Sequence, residues 1–278
     1  MTGFPRRARF SRYSSPSRKS GKKQKITKMR LLFFLFLFSL LALSAPAQRH
    51  AVWSRGGIVR SDTTSKRVTL IFTGAHHADG ADDILRTLKQ ERVKGAFFLT
   101  GQFLERYPDV VRRLVKEGHY VGSHSYGHLL YFPWDSPKMS VTREEFEQDI
   151  QRSYNALVPY GISIRNAPYF VPPYEHYNDT ISAWARHMGL TLINFTPGST
   201  SNADYTTPQM KNYRSSQTIY ENILRLEQEK GLNGHLLLFH IGTVDARTDK
   251  FYHKHLKMLI RELKRRGYRL NNLKKHTL

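Results

Sequence analysis

The stretch VTLIFTGAHHADG, from Val68 to Gly80, begins as a buried strand and ends in a polar loop. Its first five residues are apolar or β-branched without alternation, a pattern typical of a strand covered on both faces in a parallel sheet. Two histidines and Asp79 follow at once. In parallel α/β folds, polar residues directly after such a strand lie at the edge of the sheet where active sites form.

The same unit repeats along the chain, because short apolar strands alternate with amphipathic helices. This alternation predicts parallel strands with helices outside, and seven strands indicate an α/β barrel, complete or incomplete, over residues 67–278. The predicted strands cover 67–72, 95–100, 119–124, 167–171, 191–195, 235–240 and 268–270. The predicted helices cover 82–92, 108–117, 142–157, 178–188, 215–230 and 250–266.

Residues 1–47 have the pattern of a basic leader and signal peptide. The apolar run from Leu31 to Leu43 has 13 residues, too few for a membrane span of roughly 20 residues. Ala45-Pro46-Ala47 fits a signal cleavage site, so we expect cleavage after Ala47 and export to the periplasm, cell envelope or exterior. An uncleaved anchor is the alternative. Residues 48–66 are polar and turn-rich, which predicts a linker.

The charge of the chain is uneven. Residues 1–30 hold 11 of the 44 lysines and arginines and none of the 22 acidic residues, so half of the net +22 lies in the leader. The basic remainder suits an anionic envelope polymer or membrane surface, but we expect membrane contact only through the signal segment. Nucleic acid is not indicated, because no basic block is interleaved with aromatic residues. The chain has no cysteine and hence no disulfide framework.

Four polar patterns fall at predicted strand ends. His124 and His128 are spaced i, i+4, which lets two imidazoles face one cation. Pro172-Pro173 rigidifies a turn in which the Tyr174 N–H is available as an oxyanion donor. His240 closes the most apolar strand and is a natural general acid. Asp204 is placed to orient a histidine. Taken alone, each pattern is at least as typical of a structural role.

Together these segments resemble the polysaccharide deacetylase family, the NodB-like domains of carbohydrate esterase family 4, over roughly residues 67–270. The segment VKGAFFLTGQFLERYPDVVRRLVKEGHYVGSHSYGH, residues 93–128, is especially similar. The resemblance implies a distorted barrel, a divalent metal, usually zinc, and removal of N- or O-acetyl groups from an acetylated polysaccharide.

The resemblance also implies roles for single residues. His124 and His128 match the metal histidines, and Pro172-Pro173-Tyr174 matches the groove motif. Leu238 matches the leucine that lines the acetyl pocket, and His240 matches the catalytic acid.

The first motif of the family departs most from the pattern. The family's T-F-D-D-G supplies the base and the third metal ligand, but here it aligns with residues 71–75, where Thr73 and Gly74 replace both aspartates. Val171 stands at the position of the groove arginine, and Glu175 at that of a glycine.

The missing carboxylates require substitutes. A catalytic zinc usually has three protein ligands, so Asp79 is the predicted third ligand, with His76 and His77 as alternatives. Glu175 is the predicted base. The competing interpretation is that Asp79 caps the helix near Asp82 and that Glu175 is merely solvated.

We therefore expect a metal-dependent deacetylase of an exported or cell-envelope polysaccharide. The alternatives are a non-catalytic carbohydrate-binding relative and a hydrolase of another ester, such as a phosphoester, on the same scaffold.

Overall fold

Seven parallel strands form a curved sheet with helices outside, as the sequence predicts. The structure is a computed structural model that describes residue 3, residues 50–270 and residues 272 and 273. Apart from residue 3, the predicted leader and its cleavage site lie outside the described residues. The parallel strands are β3 (Arg67–Gly74), β4 (Ala96–Leu99), β5 (Tyr120–Ser123), β6 (Tyr169–Phe170), β7 (Thr191–Leu192), β8 (His235–His240) and β9 (Arg269–Leu270).

The strand order brings distant segments together. From one edge the parallel strands run β8-β3-β4-β5-β6-β7, and β9 pairs with the start of β3. Thr73 on β3 is the register partner of His240 on β8, and Ser123 on β5 is that of Phe170 on β6. The carboxyl ends of four strands therefore meet at one end of the barrel.

The helices pack on the outside through apolar stripes. In the first helix, for example, Ile84, Leu85 and Leu88 are at most 1% exposed, as expected for a helix with one buried face. The helices are α1 (Ala81–Gln90), α2 (Gly101–Arg106), α3 (Pro108–Lys116), α4 (Arg143–Leu157), α5 (Asp179–His187), α6 (Ser216–Lys230) and α7 (His255–Arg265).

Two sequence signals for helix starts are confirmed, and two elements differ from the prediction. Pro108 lies in the first turn of α3, and Thr142 and Glu145 form the capping box of α4. The segment 250–266 is not one helix, because a separate 3₁₀ turn at Phe251–His253 precedes α7. The short helix α2 was not predicted.

The prediction of a linker over 48–66 is wrong for residues 52–60. The segment contains an antiparallel hairpin, β1 (Val52–Ser54) and β2 (Gly57–Arg60), and β2 pairs with β8. Ile58 is 3% exposed and bridges to Ile193, just beyond β7. The hairpin therefore closes the gap between the two edges of the parallel sheet. No helix within the described part of the chain is both long and apolar enough to cross a membrane.

Candidate active site

A pocket of about 530 Å³ opens at the carboxyl ends of the parallel strands. This is where α/β barrels place catalytic residues. It is lined by Thr73, Ala75, His76, His77, His124, His128, Trp134, Tyr174, Glu175, Phe195, Asn202, Tyr205, Met210, His240, Gly242, Thr243 and Val244. The pocket thus brings together five residues that were predicted from the sequence and that lie at the ends of three different strands. These are His124, His128, Tyr174, Glu175 and His240.

His124 and His128 are neutral imidazoles side by side. His124 follows β5 and is 2% exposed. Its Nδ1–H donates to the Val171 carbonyl at 2.8 Å, which leaves the Nε2 lone pair for a ligand. Burial, and the nearby His128, lower the pKa of His124 well below its ordinary value. Burial lowers the pKa of His128 to about 4, and the two ring centroids are 5.0 Å apart.

The turn after β6 places Tyr174 and Glu175 in the left-handed backbone region, with φ of 58° and 54°. Such conformations cost energy in residues other than glycine and persist where the surroundings impose them. Here two prolines precede the pair, and the Asn194 side-chain amide donates to the Glu175 carbonyl at 2.7 Å. The Tyr174 ring packs on His128, with centroids 4.3 Å apart. The turn is therefore held in place and packs on His128, one of the two histidines predicted to bind a metal.

The Glu175 carboxyl is partly buried and close to His240. Removal from water raises the pKa of Glu175 to about 7, the positive charge of His240 opposes the shift, and Asp204 adds to it. A carboxylate that titrates near neutral pH is suited to general-base catalysis. The sequence-based alternative of a merely solvated Glu175 does not fit this burial.

His240 is fixed by Asp204, as the sequence predicts for that aspartate. The His240 Nδ1–H donates to one Asp204 carboxylate oxygen at 2.6 Å, and the His240 backbone N–H donates to the other at 2.9 Å. Asp204 is 2% exposed. Burial alone would lower the pKa of His240, but Asp204, with a smaller contribution from Glu175, raises it above the ordinary value. The remaining Nε2 is left to protonate a group in the pocket.

Comparisons with known proteins agree with this geometry. The family model described as polysaccharide deacetylase matches residues 60–193. The chain is 28% identical over 218 residues to a peptidoglycan-N-acetylglucosamine deacetylase of Bacillus cereus, which covers 74% of this chain and 66% of that relative. Residues 60–193 belong to the polysaccharide deacetylase family.

Solved structures of family members share the fold. The Bc1960 peptidoglycan N-acetylglucosamine deacetylase superposes with a TM-score of 0.62 at 24% identity, over 77% of this chain and 89% of that one. BA3943 of Bacillus anthracis, a carbohydrate esterase family 4 pseudoenzyme, gives 0.61 at 20% identity, over 80% and 68% of the two chains. A BA3943 mutant has restored enzymatic activity.

Thr73 and Gly74 occupy the positions of the two aspartates in the family's first motif. Thr73 is 3% exposed, and its hydroxyl has no hydrogen-bond partner among the described residues. A Cβ atom on Gly74 would lie 2.8 Å from Ile241 Cδ1 and 2.9 Å from the Phe103 ring. A carboxylate at position 74 therefore has no room unless these side chains move.

Asp79 is not brought to the histidine pair. Its carboxylate accepts hydrogen bonds from the Thr243 backbone N–H at 2.9 Å and from the side chains of Lys250 and Tyr252. Burial opposes ionisation, but these donors hold the pKa of Asp79 below its usual value. The alternative of a helix cap is also wrong, because α1 has no side-chain cap. Asp79 instead ties the loop after β3 to the loop after β8.

Leu238 is fully buried and does not line the pocket. It is two residues before His240 on β8, so its side chain lies on the same face of the strand, one layer deeper. Leu238 thus supports the pocket floor instead of meeting a ligand directly.

The donor set fits part of a divalent metal site. Two neutral imidazoles with exposed lone pairs are good ligands for zinc. Within residues 50–270, however, no three His, Asp or Glu side chains are grouped so that they would hold an ion. His76 also lines the pocket and contributes to the lowered pKa of His128. The sequence signal that could have favoured His76 is its position two residues after Gly74.

Proposed function

We propose that the protein is a metal-dependent deacetylase that hydrolyses N- or O-acetyl groups on an exported or cell-envelope polysaccharide. One observation carries this proposal: a carboxyl group whose pKa is about 7 lines the same pocket as a histidine that is held by a buried aspartate. Two groups poised for opposite proton transfers are what acyl hydrolysis needs. The peptidoglycan deacetylase relative supports the substrate class, and the predicted signal peptide supports export.

In the proposed reaction, the Glu175 carboxylate takes a proton from a water molecule, whose oxygen attacks the acetyl carbonyl carbon. The Tyr174 N–H donates a hydrogen bond to the oxygen that becomes negative. His240 then gives its Nε2 proton to the leaving nitrogen or oxygen, the bond to the acetyl carbon breaks, and acetate leaves. Asp204 keeps the His240 ring oriented and stabilises its protonated form until the Nε2 proton is transferred.

A divalent metal, zinc in our proposal, would be held by His124 and His128 and would polarise the acetyl carbonyl and lower the pKa of water. We propose that His76 completes the ligand set instead of Asp79 once its side chain turns toward the histidine pair, because His76 lines the pocket and lowers the pKa of His128 whereas the Asp79 carboxylate is bound by Lys250 and Tyr252.

Acetate release tests the proposed function directly. Purified protein supplied with zinc is expected to release acetate from at least one of peptidoglycan, N-acetylated chitin oligomers and acetylated xylan. Absence of acetate release from all three, from protein that contains zinc, would contradict the proposal.

A non-catalytic role is the second candidate, because both family aspartates are replaced and position 74 is packed against Phe103 and Ile241. The existence of a pseudoenzyme with this fold shows that such a role occurs among its structural neighbours. Glycan binding without acetate release would favour this candidate.

Metal content is expected to depend on the imidazoles and not on Asp79. His124→Ala, His128→Ala and His76→Ala should each lower zinc per protein severalfold, since each removes a ligand. Asp79→Asn should bind zinc as the wild type does. Zinc measured by elemental analysis after dialysis decides this. Zinc loss in Asp79→Asn together with retention in His76→Ala would restore Asp79 as the third ligand.

The pH profile is expected to have an acid limb near pH 7. The base must be ionised, and burial raises the pKa of Glu175 to about 7, so kcat/KM should fall about tenfold per pH unit below that value. A series of rates from about pH 5 to about pH 9 measures the limb. A profile that stays level down to about pH 5 would show that a carboxylate with an ordinary pKa is the base.

A further inference from the structure

Four basic side chains lie at the amino ends of neighbouring parallel strands, at the end of the barrel opposite the pocket. Arg67 begins β3, Arg269 begins β9, and the two residues are register partners. Lys66 precedes β3, and its backbone carbonyl accepts a hydrogen bond from the Arg269 N–H at 2.9 Å. Arg60 ends β2 and pairs with the first residue of β8. These four residues are called the basic patch below.

The repulsion within the basic patch is only weakly offset. Arg67 and Arg269 stand directly opposite each other across the β3–β9 ladder, and both are exposed. Like charges in such a pair destabilise a sheet. Asp62 is the acid that Arg67 influences, but the Asp62 carboxylate accepts hydrogen bonds from Thr64 and Ser65, and Arg67 is the smallest cause of its lowered pKa. An anion held against both guanidinium groups would remove the repulsion.

The other two cations of the basic patch meet neutral oxygens. Arg60 Nε donates to the Asn233 carbonyl at 2.6 Å, and the Lys66 ammonium donates to the Arg266 carbonyl at 3.1 Å. A hydrogen bond to a carbonyl orients a cation but leaves its charge in place. The amino end of the barrel therefore presents a positive surface.

Helix dipoles do not account for this surface. Basic residues in the last turns of helices, such as Lys230 of α6 and Lys264 of α7, stabilise the negative ends of those helices. Arg60, Arg67 and Arg269 lie on strands instead, where no helix end favours a positive charge. Their grouping thus needs a reason other than the stability of a helix.

Two exposed apolar residues border the basic patch. Val52 is the register partner of Arg60, and Val52 and Trp53 are 43% and 56% exposed on the outer strand β1. Tryptophan is enriched where a membrane meets water, because its ring is apolar and its N–H group is polar. A polyanion in water would contact the basic patch but would have no use for this apolar pair. The combination therefore favours a lipid surface.

The chain also enters the domain at this end. The His50 carbonyl accepts from the Thr63 N–H at 3.3 Å, and Val52 begins β1 beside Arg60. The apolar run Leu31–Leu43 comes shortly before His50 in the sequence. The segment that is predicted to enter a membrane during export is thus joined to the basic end of the barrel.

We propose that the basic patch, with Val52 and Trp53 at its border, docks on the surface of an anionic lipid bilayer. The basic side chains lie against lipid phosphate groups, and the Trp53 ring enters the interface between head groups and acyl chains. The pocket is at the other end of the barrel, so it faces away from the bilayer. This contact extends beyond the signal segment, the only membrane contact expected from the sequence, and it does not depend on the proposed function.

The test is co-sedimentation of the exported protein with lipid vesicles. Vesicles of phosphatidylcholine with phosphatidylglycerol should bind the protein about tenfold more tightly than vesicles of phosphatidylcholine alone. This preference should disappear between about 0.1 M and about 1 M salt, because the screening length falls from about 10 Å to about 3 Å.

Two variants locate the contact. Arg67→Gln/Arg269→Gln should weaken binding to the anionic vesicles by about 25-fold, since each basic residue at such a surface contributes about fivefold. Its unfolding temperature should equal or exceed that of the wild type, because a repulsive pair is removed. Trp53→Ala should weaken binding severalfold at either salt concentration.

The matched control is Arg112→Gln/Arg143→Gln, which removes the same charge from α3 and α4. The two side chains are 60% and 41% exposed and do not line the pocket. This control should bind the anionic vesicles as the wild type does.

The outcomes decide between occupants. Equal binding to both kinds of vesicle, or equal weakening in the control and in Arg67→Gln/Arg269→Gln, overturns the inference. Tighter binding to polyphosphate than to the anionic vesicles, with no effect of Trp53→Ala, would assign the basic patch to a soluble polyanion and overturn the bilayer. Absence of acetate release by the wild type, with vesicle binding as expected, contradicts the proposed deacetylase alone and supports this contact.

Discussion

Replacing Glu175 with glutamine is expected to lower kcat by about 10²–10⁴-fold, the usual contribution of a positioned base. Glutamine keeps the size and the hydrogen-bonding shape of the side chain but cannot accept the proton of the attacking water. Glu175 is the carboxyl group in the pocket whose pKa is raised to about 7. Acetate release by the purified variant, measured with saturating substrate, gives the size of the loss.

The variant also separates a base from a metal ligand. Zinc content and thermal unfolding should match the wild type, because the backbone turn is held by Pro172, Pro173 and Asn194 and not by the carboxyl group. Glu144→Gln is the matched control, since Glu144 is exposed in the first turn of α4. Full activity in Glu175→Gln would remove Glu175 from the mechanism. A loss of zinc would mean that its carboxylate binds the metal instead.

The fold was largely predictable because each long element carries its own periodic pattern. The strand β8 was predicted residue for residue, and α4 and α6 to within one residue. The hairpin β1–β2 was missed because its strands have three and four residues, and β1 is exposed throughout. Its role depends on pairing with β8, far along the chain, which no local pattern reveals.

The candidate site was predictable where a motif lies on one strand end and not where the partner comes from a distant loop. His124 and His240 end predicted strands and His128 follows one, so their convergence was expected. Asp79 looked available, but Lys250 and Tyr252, which bind it, are more than 170 residues away in sequence. The importance of Glu175 depends on burial and on His240, both of which arise only when β6 and β8 meet at the same end of the barrel.

Replacing His240 with alanine is expected to lower kcat on an N-acetylated glycan by about 10²–10⁴-fold. An amine is a poor leaving group, so the C–N bond breaks only as its nitrogen is protonated, and His240 Nε2 is the donor in our proposal. The loss should be much smaller for an acetyl ester of p-nitrophenol, because that phenolate leaves without a proton. His187→Ala, in the exposed last turn of α5, is the matched control.

The Asp204→Asn variant tests whether Asp204 raises the pKa of His240. Burial alone lowers the pKa of His240, and Asp204 reverses that effect, so the asparagine variant should carry the protonated imidazole only at lower pH. The alkaline limb of the pH–rate profile should therefore move to lower pH, a shift that a merely structural defect would not cause. An equal loss on both substrates in His240→Ala, with an unmoved alkaline limb in Asp204→Asn, would show that His240 positions the substrate and does not protonate it.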